Sequence, residues 1–138
     1  MREKPLILIA DDIEEFREII SAKIAAAGFD FVLAKNAEEV VQKASELLPD
    51  LILMDIRMPP GKSGVEAALS IKENPKTKDV NIIFLTNVND PWPGMAGDKQ
   101  MISKELGMQG FFDKGQDLDD LIKKIVGVFQ DISATKLK

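Results

Sequence analysis

A chain of 138 residues, 45% of them apolar, is long enough to bury a core as one domain and too hydrophobic to stay unfolded. The net charge of −5 is spread without a basic block, which disfavours nucleic acid as a direct partner. The absence of cysteine removes disulfides, zinc ribbons and thiol catalysis, and the absence of histidine means that any imidazole must come from another protein.

Met1–Pro5 leads straight into a strand pattern, so no secretory leader is expected. No apolar stretch approaches the ~20 residues of a membrane-crossing helix. A cytoplasmic location is the expectation.

Leu6–Ala10 is an apolar run of strand length that ends at the acidic pair Asp11-Asp12. Phe16, Ile19, Ile20, Ile24 and Ala27 then mark one face of a helix over Ile13–Ala27, which Gly28 ends. Phe29–Leu33 reads as a second strand. Asn36 followed by Glu39 resembles a capping box, opening a helix through Leu48 that Pro49-Asp50 closes. Leu51–Met54 is the third strand, with Asp55 at its end, and Met58–Gly64 has the composition of a loop.

A helix over Val65–Glu73 stops before Asn74-Pro75, and Asn81–Leu85 forms the fourth strand, followed by Thr86. Asn89–Gly94 is another loop, and a short helix is expected near Asp98–Leu106. The fifth strand, about Gln109–Asp113, leads into Lys114. The last helix has the cleanest period, through Leu118, Leu121, Ile122, Ile125, Val128, Phe129 and Ile132. Residues 1–132 form one domain in this reading, and 133–138 a short polar tail without fixed structure. Strands alternating with helices imply a parallel sheet covered on both faces, and such strands read as near-continuous apolar runs.

Side chains at the carboxyl ends of parallel strands converge on one crevice. Asp11, Asp12, Asp55, Thr86 and Lys114 would meet there, a set suited to a metal ion and a phosphoryl group. Asp55 can attack phosphorus to form an acyl phosphate, or it can be a loop aspartate that starts a turn. Asp12 can ligate a hard cation such as Mg²⁺, or cap the first helix with Glu14 and Glu15 favouring its dipole, or both. Taken singly, Lys114 is a solvated lysine and Thr86 a strand-end threonine. Their joint placement is what points to a site. Three carboxylates are nearly balanced by a divalent ion and Lys114, and phosphorylating Asp55 adds charge that Lys114 and Thr86 are placed to meet.

Ala10-Asp11-Asp12, Met54-Asp55-Ile56-Arg57-Met58-Pro59, Leu85-Thr86 and Phe111-Phe112-Asp113-Lys114 occur in this order at strand ends. With them the chain resembles a bacterial response-regulator receiver domain over residues 5–130. The resemblance implies a flavodoxin-like α/β fold, a five-stranded parallel doubly wound sheet of order 2-1-3-4-5 with five helices. It implies a phosphoacceptor switch of a two-component or phosphorelay system, not a dedicated enzyme. Asp55 would take its phosphoryl group from a histidine on a sensor kinase or a histidine phosphotransfer protein. Mg²⁺ would be held by Asp12, Asp55 and the backbone carbonyl of Arg57, with Asp11 acting through water. Thr86 and Lys114 would contact the phosphoryl oxygens. Thr86 and the aromatic Phe111 would form the switch, reshaping the surface of the helix near Asp98–Leu106, the fifth strand and the last helix.

The signal is expected to leave through a downstream protein effector, without a membrane, from a monomer or a phosphorylation-linked dimer. A receiver that binds while rarely being phosphorylated is the alternative within the family. An aspartyl-nucleophile phosphatase would want Asp-x-Asp after the first strand, and a flavin module a Ser/Thr/Gly-rich loop there. This chain has neither. Its departures from the family lie in loops. Pro59–Gly64 is one residue longer than usual, Asn87 stands where a small residue is usual, Asn87–Gly97 with Trp92 is long, and Gly115 replaces a proline. Arg57 is either a solvated cation or a control on access to the site, and Trp92 either folds back on its loop or anchors a partner.

Overall fold

The computed structural model describes residues 4–58, 61, 63–86 and 110–136, with side chains as far as 130. Among them, five strands form one parallel sheet: β1 (Leu6–Ala10), β2 (Asp30–Ala34), β3 (Leu51–Asp55), β4 (Asn81–Thr86) and β5 (Phe111–Asp113). Their order, β2-β1-β3-β4-β5, is the expected one. The described helices are α1 (Glu14–Ala26), α2 (Ala37–Leu47), α3 (Gly64–Glu73) and α4 (Leu118–Lys136). The helix expected near Asp98–Leu106 lies outside the described residues, as do Pro59, Pro60, Asn87 and Trp92.

The strands are apolar almost throughout because both faces of the sheet are covered. Successive side chains point to opposite faces. Ile7, Ile9, Leu51, Leu53, Ile83, Leu85 and Phe112 pack with Ile20 and Ile24 of α1 and with Leu121, Ile125 and Val128 of α4. Leu8, Ala10, Ile52, Met54, Ile82 and Phe84 pack with Val40 and Ala44 of α2 and with Val65, Ala68 and Ile71 of α3. The result is a doubly wound sandwich of flavodoxin-like type.

Local chemistry fixes the helix starts. Asn36 accepts a hydrogen bond from the Glu39 N–H at 2.8 Å, while the Glu39 carboxylate reaches back to the Lys35 N–H at 3.3 Å. A full capping box opens α3, with the Glu66 N–H donating to Ser63 Oγ at 3.2 Å and the Ser63 N–H to Glu66 Oε1 at 3.3 Å. The expected start at Val65 therefore moves one residue back. At the other end, α4 continues to Lys136 where the sequence reading stopped the helix at Ile132. Nothing after Ile132 breaks a helix: Ser133, Ala134, Thr135 and Lys136 include neither glycine nor proline.

Gly64 sets how closely α3 approaches the end of β3. Its N–H donates to the Ile56 carbonyl at 2.7 Å. A Cβ there would overlap the backbone carbonyl oxygen of Asp55 and lie 3.0 Å from Met54 Cγ. Gly127, inside α4, has nothing within 4 Å of where a Cβ would sit. The two glycines are thus expected to respond with opposite signs in urea unfolding. Gly64→Ala costs about 1–3 kcal/mol by forcing backbone apart, whereas Gly127→Ala gains about 0.5–1 kcal/mol from helix propensity.

Candidate functional site

The strand register places the polar residues at one edge. Ala10 pairs with Met54, Asp55 with Leu85, and Thr86 with Asp113, so the residues at and just beyond these pairs gather where the strands end. Backbone hydrogen bonds carry the alignment one step past the strands: Asp11 N–H to Ala34 O at 3.1 Å and Lys114 N–H to Thr86 O at 2.7 Å. Alternation then sorts the side chains. Asp11, Asp55 and Lys114 have the parity of Ile9, Leu53 and Phe112, which face α1 and α4. Thr86 and Phe111 have the parity of Phe84, which faces α2 and α3, and the Phe84 and Phe111 rings stack with centroids 5.8 Å apart.

Asp11 and Asp55 are buried, and Asp12 is exposed. One carboxylate oxygen from each of the three lies within 4.8 Å of the others. Lys114 Nζ sits 2.5 Å from Asp11 Oδ2 and 3.3 Å from Asp55 Oδ2, with its side chain only 7% exposed. Asp11 Oδ2 is buried, and the Lys114 ammonium compensates it. The other oxygen, Oδ1, accepts the Ile13 N–H at 2.8 Å.

This last bond bears on the alternative in which Asp12 caps the first helix. Ile13 stands at the N-cap of α1 with no side-chain cap of its own, and its N–H is taken by Asp11, not by Asp12. Asp12 is left facing solvent. Thr86 is buried at the end of β4, Phe111 is half-buried, and Arg57 is exposed two residues beyond Asp55.

Sequence reasoning overlooked three neighbours of the site. Arg17 Nη1 donates to the Asp11 carbonyl at 2.7 Å, and the Phe16 ring lies beneath Lys114 Nζ at 4.6 Å from its centroid. Asp113 Oδ1 accepts the Gly115 N–H at 2.8 Å, bracing the turn after Lys114. The signal for the first two was available. A helix that starts at a strand end points its first-turn side chains back toward that end.

The electrostatics follow from burial and crowding. Burial, then the negative charge of Asp11, lift the Asp55 carboxyl from its ordinary 3.8 to about 7, against the opposing pull of Lys114. Burial lowers Lys114, but hydrogen bonds and charges from Asp11 and Asp55 more than reverse this and leave it above its usual value. Three acidic side chains with oxygens within 4.8 Å of one another, one of them facing solvent, fit a hard cation that keeps part of its water shell.

A carboxyl whose pKa is higher folded than unfolded binds its proton more tightly in the native state. Stability from Asp55 is therefore greatest below pH 4 and is lost as pH rises toward 7, at about 1.4 kcal/mol per pH unit for a single group. In chelator, urea midpoints of the wild type are expected to fall relative to Asp55→Asn over that window, leaving the variant the more stable protein at pH 8. Saturating Mg²⁺ is expected to narrow the gap. Parallel curves for the two proteins would contradict the assignment of strain to Asp55.

Comparison with known proteins agrees with this arrangement. The response regulator receiver domain family matches residues 7–126. The phosphate regulon transcriptional regulatory protein PhoB of Pseudomonas aeruginosa is 31% identical over 124 residues, covering 90% of this chain and 51% of that protein. The chain thus spans about half the length of that curated relative. The response regulator PleD of Caulobacter vibrioides is 31% identical over 80 residues, 58% of this chain and 17% of that protein. Among solved structures, the chemotaxis protein CheY4 of Vibrio cholerae superposes with a TM-score of 0.77 at 25% identity, covering 91% of this chain and 98% of that one. The N-terminal domain of a three-domain response regulator from Carboxydothermus hydrogenoformans gives 0.77 at 27% identity, covering 94% and 98%. The chain belongs to the response regulator receiver domains of two-component systems.

Proposed function

We propose that Asp55 accepts a phosphoryl group from a histidine of a sensor kinase or phosphotransfer protein, with Mg²⁺ as cofactor. The observation that carries the reading is Asp55 itself, buried at a strand end with two further carboxylates within 4.8 Å and Lys114 Nζ at 3.3 Å. A chain without histidine is consistent with a donor acting in trans. Asp12, Asp55 and the Arg57 backbone carbonyl would hold the metal, with Asp11 acting through water. When bound, Mg²⁺ supplies neutralising charge and fixes a phosphoryl oxygen.

In the transfer, Asp55 Oδ attacks phosphorus. The Oδ–P bond forms as the P–N bond of the donor imidazole breaks; the bond's electron pair stays on that nitrogen, and the ring, protonated beforehand on its other nitrogen, leaves as neutral imidazole. The work of the protein is positioning and charge compensation. Lys114 shifts its ion pair from the carboxylates to the phosphoryl oxygens, and the Thr86 hydroxyl donates to another. Drawing Thr86 toward the phosphoryl group makes room on the opposite face of the sheet for Phe111, which is half-buried against Phe84. The surface near β5 and α4 changes with it. The acidic chain favours a protein effector over nucleic acid as the reader of that surface, in the cytoplasm.

Incubated with Mg²⁺ and phosphoramidate, the wild type is expected to gain the mass of one phosphoryl group, and to gain none with chelator present. Asp55→Asn is expected to stay unlabelled. Lys114→Ala is expected to label about 10²–10³-fold more slowly, the usual cost of losing a preorganised donor. Equal labelling of Asp55→Asn in intact-mass spectra would sink the reading.

A further inference from the structure

We propose that Phe16 is a positioning residue for phosphoryl transfer, its ring face holding the Lys114 ammonium over the Asp11–Asp55 pair. The inference rests on Asp55 as the phosphoacceptor. Lys114 Nζ has three immediate neighbours among the described residues: Asp11 Oδ2 at 2.5 Å, Asp55 Oδ2 at 3.3 Å and the Phe16 ring, whose centroid is 4.6 Å away. Its side chain is almost wholly removed from water. An ammonium has three N–H donors, and here the side not turned to a carboxylate meets a π face.

The chemistry of that third neighbour matters. A carboxylate or amide in place of the ring would hydrogen-bond the ammonium and compete with a phosphoryl group for it. Water would do the same. An aromatic face attracts the cation through its quadrupole, excludes water and offers no lone pair that must be given up during transfer. The lysine is thereby held close to Asp55 while remaining free to exchange one oxygen partner for another.

The backbone makes Phe16 a rigid platform. It lies in the first turn of α1, half-buried, and packs against the core cluster that includes Ile20 and Ile24. One residue further, Arg17 ties α1 to the Asp11 carbonyl at 2.7 Å. The ring therefore keeps its place relative to Asp11 whatever the lysine does.

The test separates an electronic role from mere packing. Tyrosine and 3,4,5-trifluorophenylalanine at position 16 keep a ring of similar size, the first with an electron-rich face and the second with a depleted one. Phe16→Leu keeps apolar bulk without a ring. Phosphorylation by phosphoramidate in saturating Mg²⁺ is expected to hold near the wild-type rate in Phe16→Tyr. It is expected to fall about 3- to 30-fold in Phe16→Leu and in the fluorinated protein. Urea midpoints identify any variant that loses activity by unfolding. Independently of phosphorylation, the Lys114 Hε protons of the wild type are expected at ring-shifted, upfield NMR positions that Phe16→Leu abolishes. A fluorinated protein that labels at the wild-type rate, or Lys114 Hε shifts unmoved by Phe16→Leu, overturns the proposal. Failure of the wild type to label at all counts against the phosphoacceptor reading instead, and the NMR shifts then still decide where the ammonium sits.

Discussion

Three carboxylates with oxygens within 4.8 Å of one another, two of them on buried side chains, form a charge arrangement that solvent relieves only in part. At 4.8 Å the buried Asp11–Asp55 pair costs about 3.5 kcal/mol for an effective dielectric of ~20, and pairs with the exposed Asp12 cost less. One ammonium, shared between Asp11 and Asp55, offsets some of this and leaves the cluster short of positive charge. The cost is carried by the strands beneath. β1 and β3 lie inside the sheet, with Ile7, Ile9, Leu51 and Leu53 fully buried, and hydrophobic burial of this kind is the dominant favourable term in folding. A stable base holds an electrostatically unsatisfied edge, which is the condition for binding a cation and then a phosphoryl group.

Side-chain alternation divides the edge into two halves. Asp11, Asp55 and Lys114 belong to the face covered by α1 and α4, while Thr86 and Phe111 belong to the face covered by α2 and α3. A signal passing from one half to the other must cross the sheet. The shortest physical link is the Lys114 N–H to Thr86 carbonyl bond of 2.7 Å, which joins the residue that pairs with Asp55 to the residue proposed to move. In the proposed switch, then, pulling on either residue strains the same peptide contact, and no longer chain of intermediaries is needed.

Much of this was legible in the sequence because buried parallel strands leave a coarse signature. The apolar runs before Asp11, Asp55 and Thr86 identified strands β1, β3 and β4 to within a residue, and the polar residues after them anticipated that Asp11, Asp12, Asp55 and Lys114 gather at one edge. What was missed depends on contacts that no run of residues encodes. Asp12 has the composition of a cap, yet the bond from the Ile13 N–H goes to Asp11, two residues back, while Asp12 is exposed. Gly64 looks like loop punctuation, and its need for a missing Cβ is visible only against the Asp55 carbonyl. Phe16 reads as part of an apolar helix face. Its second role, beneath Lys114, follows from packing between positions 98 apart in sequence, 16 and 114.

The backbone around Lys114 narrows what its side chain is free to do. Gly115 donates to Asp113 Oδ1 at 2.8 Å, Gln116 donates to the Asp113 carbonyl at 3.0 Å, and Lys114 itself is tied to β4. A proline at position 115 would have no N–H and could not make the first of these bonds. In this chain an aspartate-braced turn does the holding. With the peptide fixed from both sides, the position of the ammonium is set by its side-chain torsions and by whatever its tip touches. Those contacts are the carboxylates of Asp11 and Asp55 and the ring of Phe16. In the proposed transfer the carboxylates give way to phosphoryl oxygens while the contact with Phe16 is kept, so the ring would be the fixed reference against which the exchange of oxygen partners takes place.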